Sequence, residues 1–191
     1  MKYRAVAIIG PPGTGKTSAC HLLDNTNGFK HYSNGEELRR LASQGKLNPV
    51  ITQYMDKGLP IPADLLIPEI EHIIGGYINE KKFNPYSDIL LLDGIPRDIS
   101  QLLALQNVFT IEKVFYFYVN DVDLLFERIK AKPHKIRVDD SDDFIIKKRI
   151  EVAEKEIPLI LSHFTQNKII RVNSEEKTIT QMAEMVKKNY K

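Results

Sequence analysis

The string GPPGTGKT, from Gly10 to Thr17, sets glycines, a lysine and a threonine at the spacing GxxxxGK(S/T). Glycines 10, 13 and 15 let the backbone turn its N–H groups toward a phosphate, and a helix starting there adds the positive end of a dipole. Lys16 has the reach for β- and γ-phosphates, and a hydroxyl directly after it suits Mg²⁺ or its water shell. Gly13, Thr14, Gly15, Lys16, Thr17 and Ser18 are therefore the expected cradle of a nucleoside triphosphate. The loop does not choose between a small-molecule kinase and a nucleic-acid remodelling ATPase.

A second chemical centre lies in ILLLDGIPR, Ile89 to Arg97, an apolar run ending in Asp, Gly, Pro and Arg. A carboxylate at the C-terminal end of a parallel strand beside a phosphate loop can organise Mg²⁺ through water, and Asp93 is that candidate. Arginines recur further along the chain, and their planar forks grip phosphate oxygens while staying charged.

These residues need a scaffold, and the hydrophobic pattern supplies one. Apolar runs at Ala5–Ile9, Ile89–Leu92, Val114–Val119 and Lys168–Val172 predict strands. Helical patterns separate them over Gly35–Gln44, Pro49–Lys57, Pro62–Lys81, Asp121–Lys130, Asp142–His163 with a kink or break at Pro158, and Thr178–Lys188. Near-continuous apolar strands alternating with helices require a parallel sheet covered on both faces, so the fold class is α/β in three layers. Residues 131–141 are polar and without a sustained period, which predicts a loop that can act as a lid.

With these residues in view, the chain resembles the adenylate kinase family, from Arg4 to about Val186. The resemblance implies a phosphate-loop kinase of one domain, with a helical monophosphate-binding insert near 33–62 and a short lid near 131–141. SNGEELRR, starting at Ser33, is similar to the string that opens the insert, so Ser33, Asn34 and Arg39 are implied in AMP binding. Arg40 would project about 100° away on the helix and is read as surface. MDKGLPIP, Met55 to Pro62, resembles the stretch lying against the AMP base, with Ile61 as the contact. DGIPR resembles the DG(F/Y)PR signature, which implies Gly94 and Arg97 at the acceptor phosphate. Gln101 takes the position where the family reads adenine; UMP/CMP kinases carry asparagine there.

For the donor, the resemblance implies that Arg128 stacks over the ATP adenine. RVDD, Arg137 to Asp140, is similar to the lid string, giving Arg137, Asp139 and Asp140. Arg149 corresponds to an arginine of the next helix, although one extra residue in the spacing leaves Lys148 as an alternative. Lys16, Arg39, Arg97, Arg128, Arg137 and Arg149 would then surround one triphosphate-like charge. Thr17 and Ser18 replace the usual Gly-Thr, so either hydroxyl can serve Mg²⁺. Asn34 and Glu36 depart from the usual Thr and Asp, and Lys132 replaces a second lid arginine, keeping charge without the fork.

The resemblance implies transfer from MgATP to AMP, giving two ADP, with no general base because the acceptor phosphate is already anionic. Lys16, Arg97, Arg128, Arg137 and Arg149 are the implied catalytic set. A UMP/CMP kinase, a remodelling ATPase and a silent nucleotide-binding module remain alternatives. Composition narrows the surroundings: 27 basic against 25 acidic residues among 191 give no general pull toward nucleic acid or membrane. Cys20 stands alone, so the chain has no internal disulfide and no cysteine cage for structural zinc, and a buried thiol on the first helix is expected. The Ala5–Ile9 run is too short for an export signal or a membrane span. The expectation is a cytoplasmic monomer.

Overall fold

The computed structural model describes residues 2–131 and 142–190. Five strands form one parallel sheet in the order β2-β3-β1-β4-β5: β1 Tyr3–Ile9, β2 Phe29–Ser33, β3 Ile89–Asp93, β4 Phe109–Tyr118 and β5 Ile169–Asn173. β1 sits centrally, and Ala5 to Ile8 have no exposed surface, as a strand covered on both faces demands. Successive side chains go to opposite faces. Ala5, Ala7 and Ile9 join one core cluster, while Val6 and Ile8 join the other.

The helices are α1 Lys16–Leu23, α2 Asn34–Ser43, α3 Pro49–Asp56, α4 Ala63–Asn79, α5 Ile99–Val108, α6 Asp123–Lys130, α7 Asp143–Ser162 and α8 Ile179–Tyr190. Helices α1 and α8 cover the Val6 face through Ala19, Cys20, Met182 and Val186. Helices α4, α5 and α7 cover the other face, together with the apolar sides of α2 and α3. The α/β three-layer arrangement is the one the periodicity predicts, and Cys20 is buried on α1. A separate cluster, Leu125, Ile129, Ile146 and Ile150, clamps α6 to α7.

Three features depart from the sequence reading. β2 is an additional strand, paired with β3 from Phe29↔Ile89 to Ser33↔Asp93. Helix α7 continues through Pro158 to Ser162 without a break. Asp121, the N-cap expected from its place at the head of the Asp121–Lys130 pattern, does not cap α6; it accepts from the Asp123 backbone N–H at 3.0 Å, and Val122 takes the cap position. By contrast, Asp142 caps α7, accepting from the Phe144 N–H at 2.9 Å. Among the described residues no helix is long and apolar enough to cross a membrane.

The topology fixes where chemistry can occur. In a parallel sheet all C-terminal strand ends lie along one edge, and the loops leaving them meet there. Ile8 pairs with Asp93, and Asp93 in turn pairs with Ser33. The phosphate loop after β1, the acid ending β3 and the serine ending β2 are therefore neighbours by register.

Candidate active site

Two cavities open along this edge. The larger, about 290 Å³, is lined by the loop residues Gly10, Gly13 and Gly15, by Lys16, Thr17 and Ser18 at the start of α1, and by Asp93 and Arg128. The smaller, about 160 Å³, lies between α2, α3 and α5, and its wall includes Asn34, Arg39, Ile61 and Gln101. Gly35, Gly58, Arg97 and Arg149 line both. Two pockets thus share one wall carrying two guanidinium groups.

The loop is shaped by close approach. Gly10 has φ +150°, and a Cβ there would stand 2.2 Å from the Phe117 carbonyl oxygen, so no side chain is tolerated. Lys16 donates from Nζ to the Gly10 and Pro11 carbonyls at 2.7 Å and to Thr14 Oγ1 at 3.3 Å, which folds it over the loop. Thr14 is buried and its hydroxyl donates to the Pro11 carbonyl at 2.9 Å. Its side chain therefore braces the loop, which leaves its backbone N–H as the group suited to a phosphate.

Asp93 is 3% exposed. Burial alone would raise its pKa, yet the hydrogen bond to His31, the Lys16 charge and the Thr17 hydroxyl outweigh it and hold the carboxyl below its ordinary value. His31 Nε2 lies 3.3 Å from Asp93 Oδ2. An ionised, buried carboxylate with a hydroxyl against it is a fit donor set for a hydrated Mg²⁺, and the contact singles out Thr17 rather than Ser18.

The smaller cavity is built by side chains. Gln101 is 1% exposed and bridges two segments: its Oε1 accepts from the Arg97 backbone N–H at 2.8 Å, and its Nε2 donates to the Ile61 carbonyl at 2.8 Å. One N–H and one lone pair of the amide stay available in principle, since a primary amide carries two of each. Arg97 Nε donates to the Gly94 carbonyl at 3.3 Å, which steers the guanidinium along the shared wall. On α2, Arg39 turns into the cavity while its neighbour Arg40 is exposed and paired with Glu37, Nη2 to Oε2 at 2.7 Å. The helical offset predicts this split.

Arg149 is 6% exposed and reaches both cavities, whereas Lys148 sits over the Phe144 ring, 5.9 Å from its centroid. Of the two alternatives left by the spacing, Arg149 is the one that lines the cavities. Its neighbour Gly58 escaped the sequence reading. Gly58 has φ +66°, and a Cβ there would meet Arg149 Cγ at 2.7 Å and Ile145 Cγ2 at 3.2 Å. The positive φ is the signal a D-K-G-L string can carry; the contact with α7 is tertiary and has none.

Three more of the expected residues line the larger cavity. Ser33 and Gly94, implied at AMP, line the larger cavity and not the smaller one. Arg128 lines the larger cavity, where Nη2 donates to the Ser174 carbonyl at 3.1 Å, so the segment after β5 positions it. Lys132, Arg137, Asp139 and Asp140 lie outside the described residues.

Comparison with known proteins follows the same lines. Residues 8–169 match the family described as adenylate kinase. An adenylate kinase of Nautilia profundicola is 32% identical over 192 residues, covering 94% of each chain. One of Prochlorococcus marinus is 30% identical over 177 residues, covering 90% of this chain and 89% of its own. A protein named UMP-CMP kinase 3, from Oryza sativa subsp. japonica, is 28% identical over 187 residues, covering 97% and 85%.

Proposed function

The chain belongs to the adenylate kinase family, and we propose that its two cavities hold ATP and AMP so that the terminal phosphoryl group passes across the shared wall, giving two ADP. The single observation carrying this reading is that Arg97 and Arg149 line both cavities. The larger pocket, with the glycine loop and Lys16, suits the triphosphate; the smaller suits a monophosphate. A remodelling ATPase has no use for a second, arginine-lined pocket.

The acceptor phosphate is an anion at neutral pH, so the protein supplies charge neutralisation, alignment and exclusion of water, and no residue is assigned a proton. Lys16 and the loop N–H groups hold the donor phosphates. Arg97 and Arg149 span donor and acceptor, Arg39 holds the far end of the acceptor phosphate, and Arg128 borders the donor nucleoside. Mg²⁺, bound through water by Asp93 and Thr17, would neutralise donor phosphate charge. We read residues 33–62 as the acceptor insert and 131–141 as a lid carrying Arg137, Asp139 and Asp140. The residues described around both cavities come from one chain, which supports a monomer as the working unit, and we place it in the cytoplasm.

Gln101, buried at the smaller cavity with an amide that both donates and accepts, supports adenine over a pyrimidine. A steady-state panel of AMP, UMP, CMP, GMP and dAMP with ATP as donor tests this, and turnover of a pyrimidine alone would overturn it. Tight binding of a polyphosphate-linked pair of adenosines, spanning both cavities, is the expected companion result. Failure of a folded, Mg²⁺-supplied sample to bind that ligand defeats the shared-wall reading.

A further inference from the structure

Three side chains outside the two cavities meet on consecutive elements: His21 on α1, His31 on β2 and Glu36 on α2. His21 Nε2 lies 3.3 Å from Glu36 Oε1, and the two imidazole rings stand edge to face with centroids 4.7 Å apart. One ligand atom from each residue falls within 4.8 Å of the other two. We propose that His21, His31 and Glu36 bind a divalent transition-metal ion of the zinc type, separate from the hydrated Mg²⁺ of the nucleotide site.

Donor chemistry sets the class of ion. Two imidazoles and one carboxylate suit Zn²⁺, Co²⁺ or Ni²⁺, whereas Mg²⁺ and Ca²⁺ prefer all-oxygen shells. Three protein ligands with water completing the shell is a common zinc arrangement. With metal–ligand distances near 2.0–2.2 Å, tetrahedral ligand atoms stand roughly 3.3–3.6 Å apart, so the trio must contract by about 1 Å at its wider separations. His21 and Glu36 can supply it, since their side chains are 57% and 37% exposed and face solvent, from which the ion enters.

His31 is the fixed member. Its side chain is 6% exposed, and Nε2 lies against the Asp93 carboxylate. The Asp93 contact occupies one ring nitrogen and leaves Nδ1 as the nitrogen for a cation. A carboxylate orienting a histidine from behind is the usual outer-shell support of a metal ligand. A bound ion would tie α1, which starts with Lys16, to α2, which carries Arg39, and so link the donor loop to the acceptor helices. The metal readout is independent of the kinase reading, because it uses no nucleotide.

The test is titration of the substrate-free, full-length chain with Zn²⁺ against a chromophoric chelator, with Co²⁺ absorption as a probe of the ligand set. The expected result is one ion per chain, with H21A and E36Q each weakening affinity by about tenfold or more. Both altered residues are partly exposed, so circular dichroism should match the parent. An absence of saturable binding, or binding that H21A and E36Q leave unchanged, would overturn the site and reduce the trio to an ion pair beside a ring contact.

Discussion

The two cavities are made from different materials. The larger is bounded by the ends of fully buried parallel strands and by a loop whose backbone supplies the binding groups. The smaller is bounded by α2, α3 and α5, and its chemistry is side-chain chemistry: Arg39, Gln101 and the shared Arg97 and Arg149. Ile51 is the one fully buried residue of α3, and Tyr54 and Met55 pack against the core only partly buried. The donor side is thus held by the sheet, and the acceptor side by a few contacts that a ligand can complete. A phosphate cradle gains from rigidity, because preorganised donors need no rearrangement during transfer. An acceptor pocket gains from closing late, because an incomplete site does not hydrolyse ATP.

The largest effect should come from the wall that both sides share. Arg97→Ala and Lys16→Ala should each lower kcat/KM by about 10²–10³ with the fold intact. Arg97→Ala should impair use of both nucleotides, and Lys16→Ala chiefly that of ATP; steady-state kinetics with each substrate varied, alongside a thermal melt, separates these. If Arg97→Ala raised KM for one nucleotide only, the shared wall would be the wrong description.

Next in size is Gly58→Ala, which removes no charged or polar group from the shared wall. The new methyl would strike Arg149 Cγ, and φ +66° disfavours any L side chain. Displacing an arginine of the shared wall by a fraction of an ångström should lower kcat by roughly tenfold or more, while the melting temperature falls by only a few degrees, about 1 kcal/mol of backbone strain. Equal loss of stability and activity would mean that Gly58 serves the fold and not Arg149.

How far these regions could be read in advance follows the same division. The phosphate loop, Asp93 and the parallel strands that carry them were legible because a glycine spacing and an apolar run report backbone geometry directly. Arg39 against Arg40 was legible because a helix fixes the angle between neighbours. β2 was not: Phe-Lys-His-Tyr-Ser lies at the sheet edge with a mixed polar pattern, and Lys30 and His31 break the apolar run. That omission also hid His31, whose pairing with Asp93 spans 62 positions. Gly58 beneath Arg149, and the assignment of Ser33 and Gly94 to the larger cavity, depend on how separate elements pack, which no local spacing encodes. The extra residue before Arg149 left two cations open until α7 could be seen to bury one of them.

A milder change should sharpen the acceptor side. Gln101→Leu keeps the volume but strands the Ile61 carbonyl and the Arg97 N–H, both of which the amide now satisfies. A stranded buried polar group costs about 1–3 kcal/mol, so denaturant unfolding should shift by that order. KM for AMP should rise by several-fold more than KM for ATP, since Gln101 itself lines the smaller cavity and not the larger. An equal rise in both would show that the two pockets are not mechanically separable.

The smallest effect tests the helix that carries both arginines. Arg40 is exposed and pairs with Glu37, which also accepts a hydrogen bond from the Tyr77 hydroxyl at 2.8 Å. Removing Arg40 leaves Glu37 with that partner and with water, and an exposed ion pair contributes about 0–1 kcal/mol. Arg40→Ala should therefore leave kcat/KM within about twofold of the parent, whereas Arg39→Ala, one step along α2, should cost the acceptor phosphate a charged contact and raise KM for AMP by about tenfold or more. The two variants differ by a rotation of about 100° and nothing else in kind. If Arg40→Ala damaged activity as much as Arg39→Ala, α2 would have to be turned relative to the cavity, and the acceptor side would lose the orientation on which its reading depends.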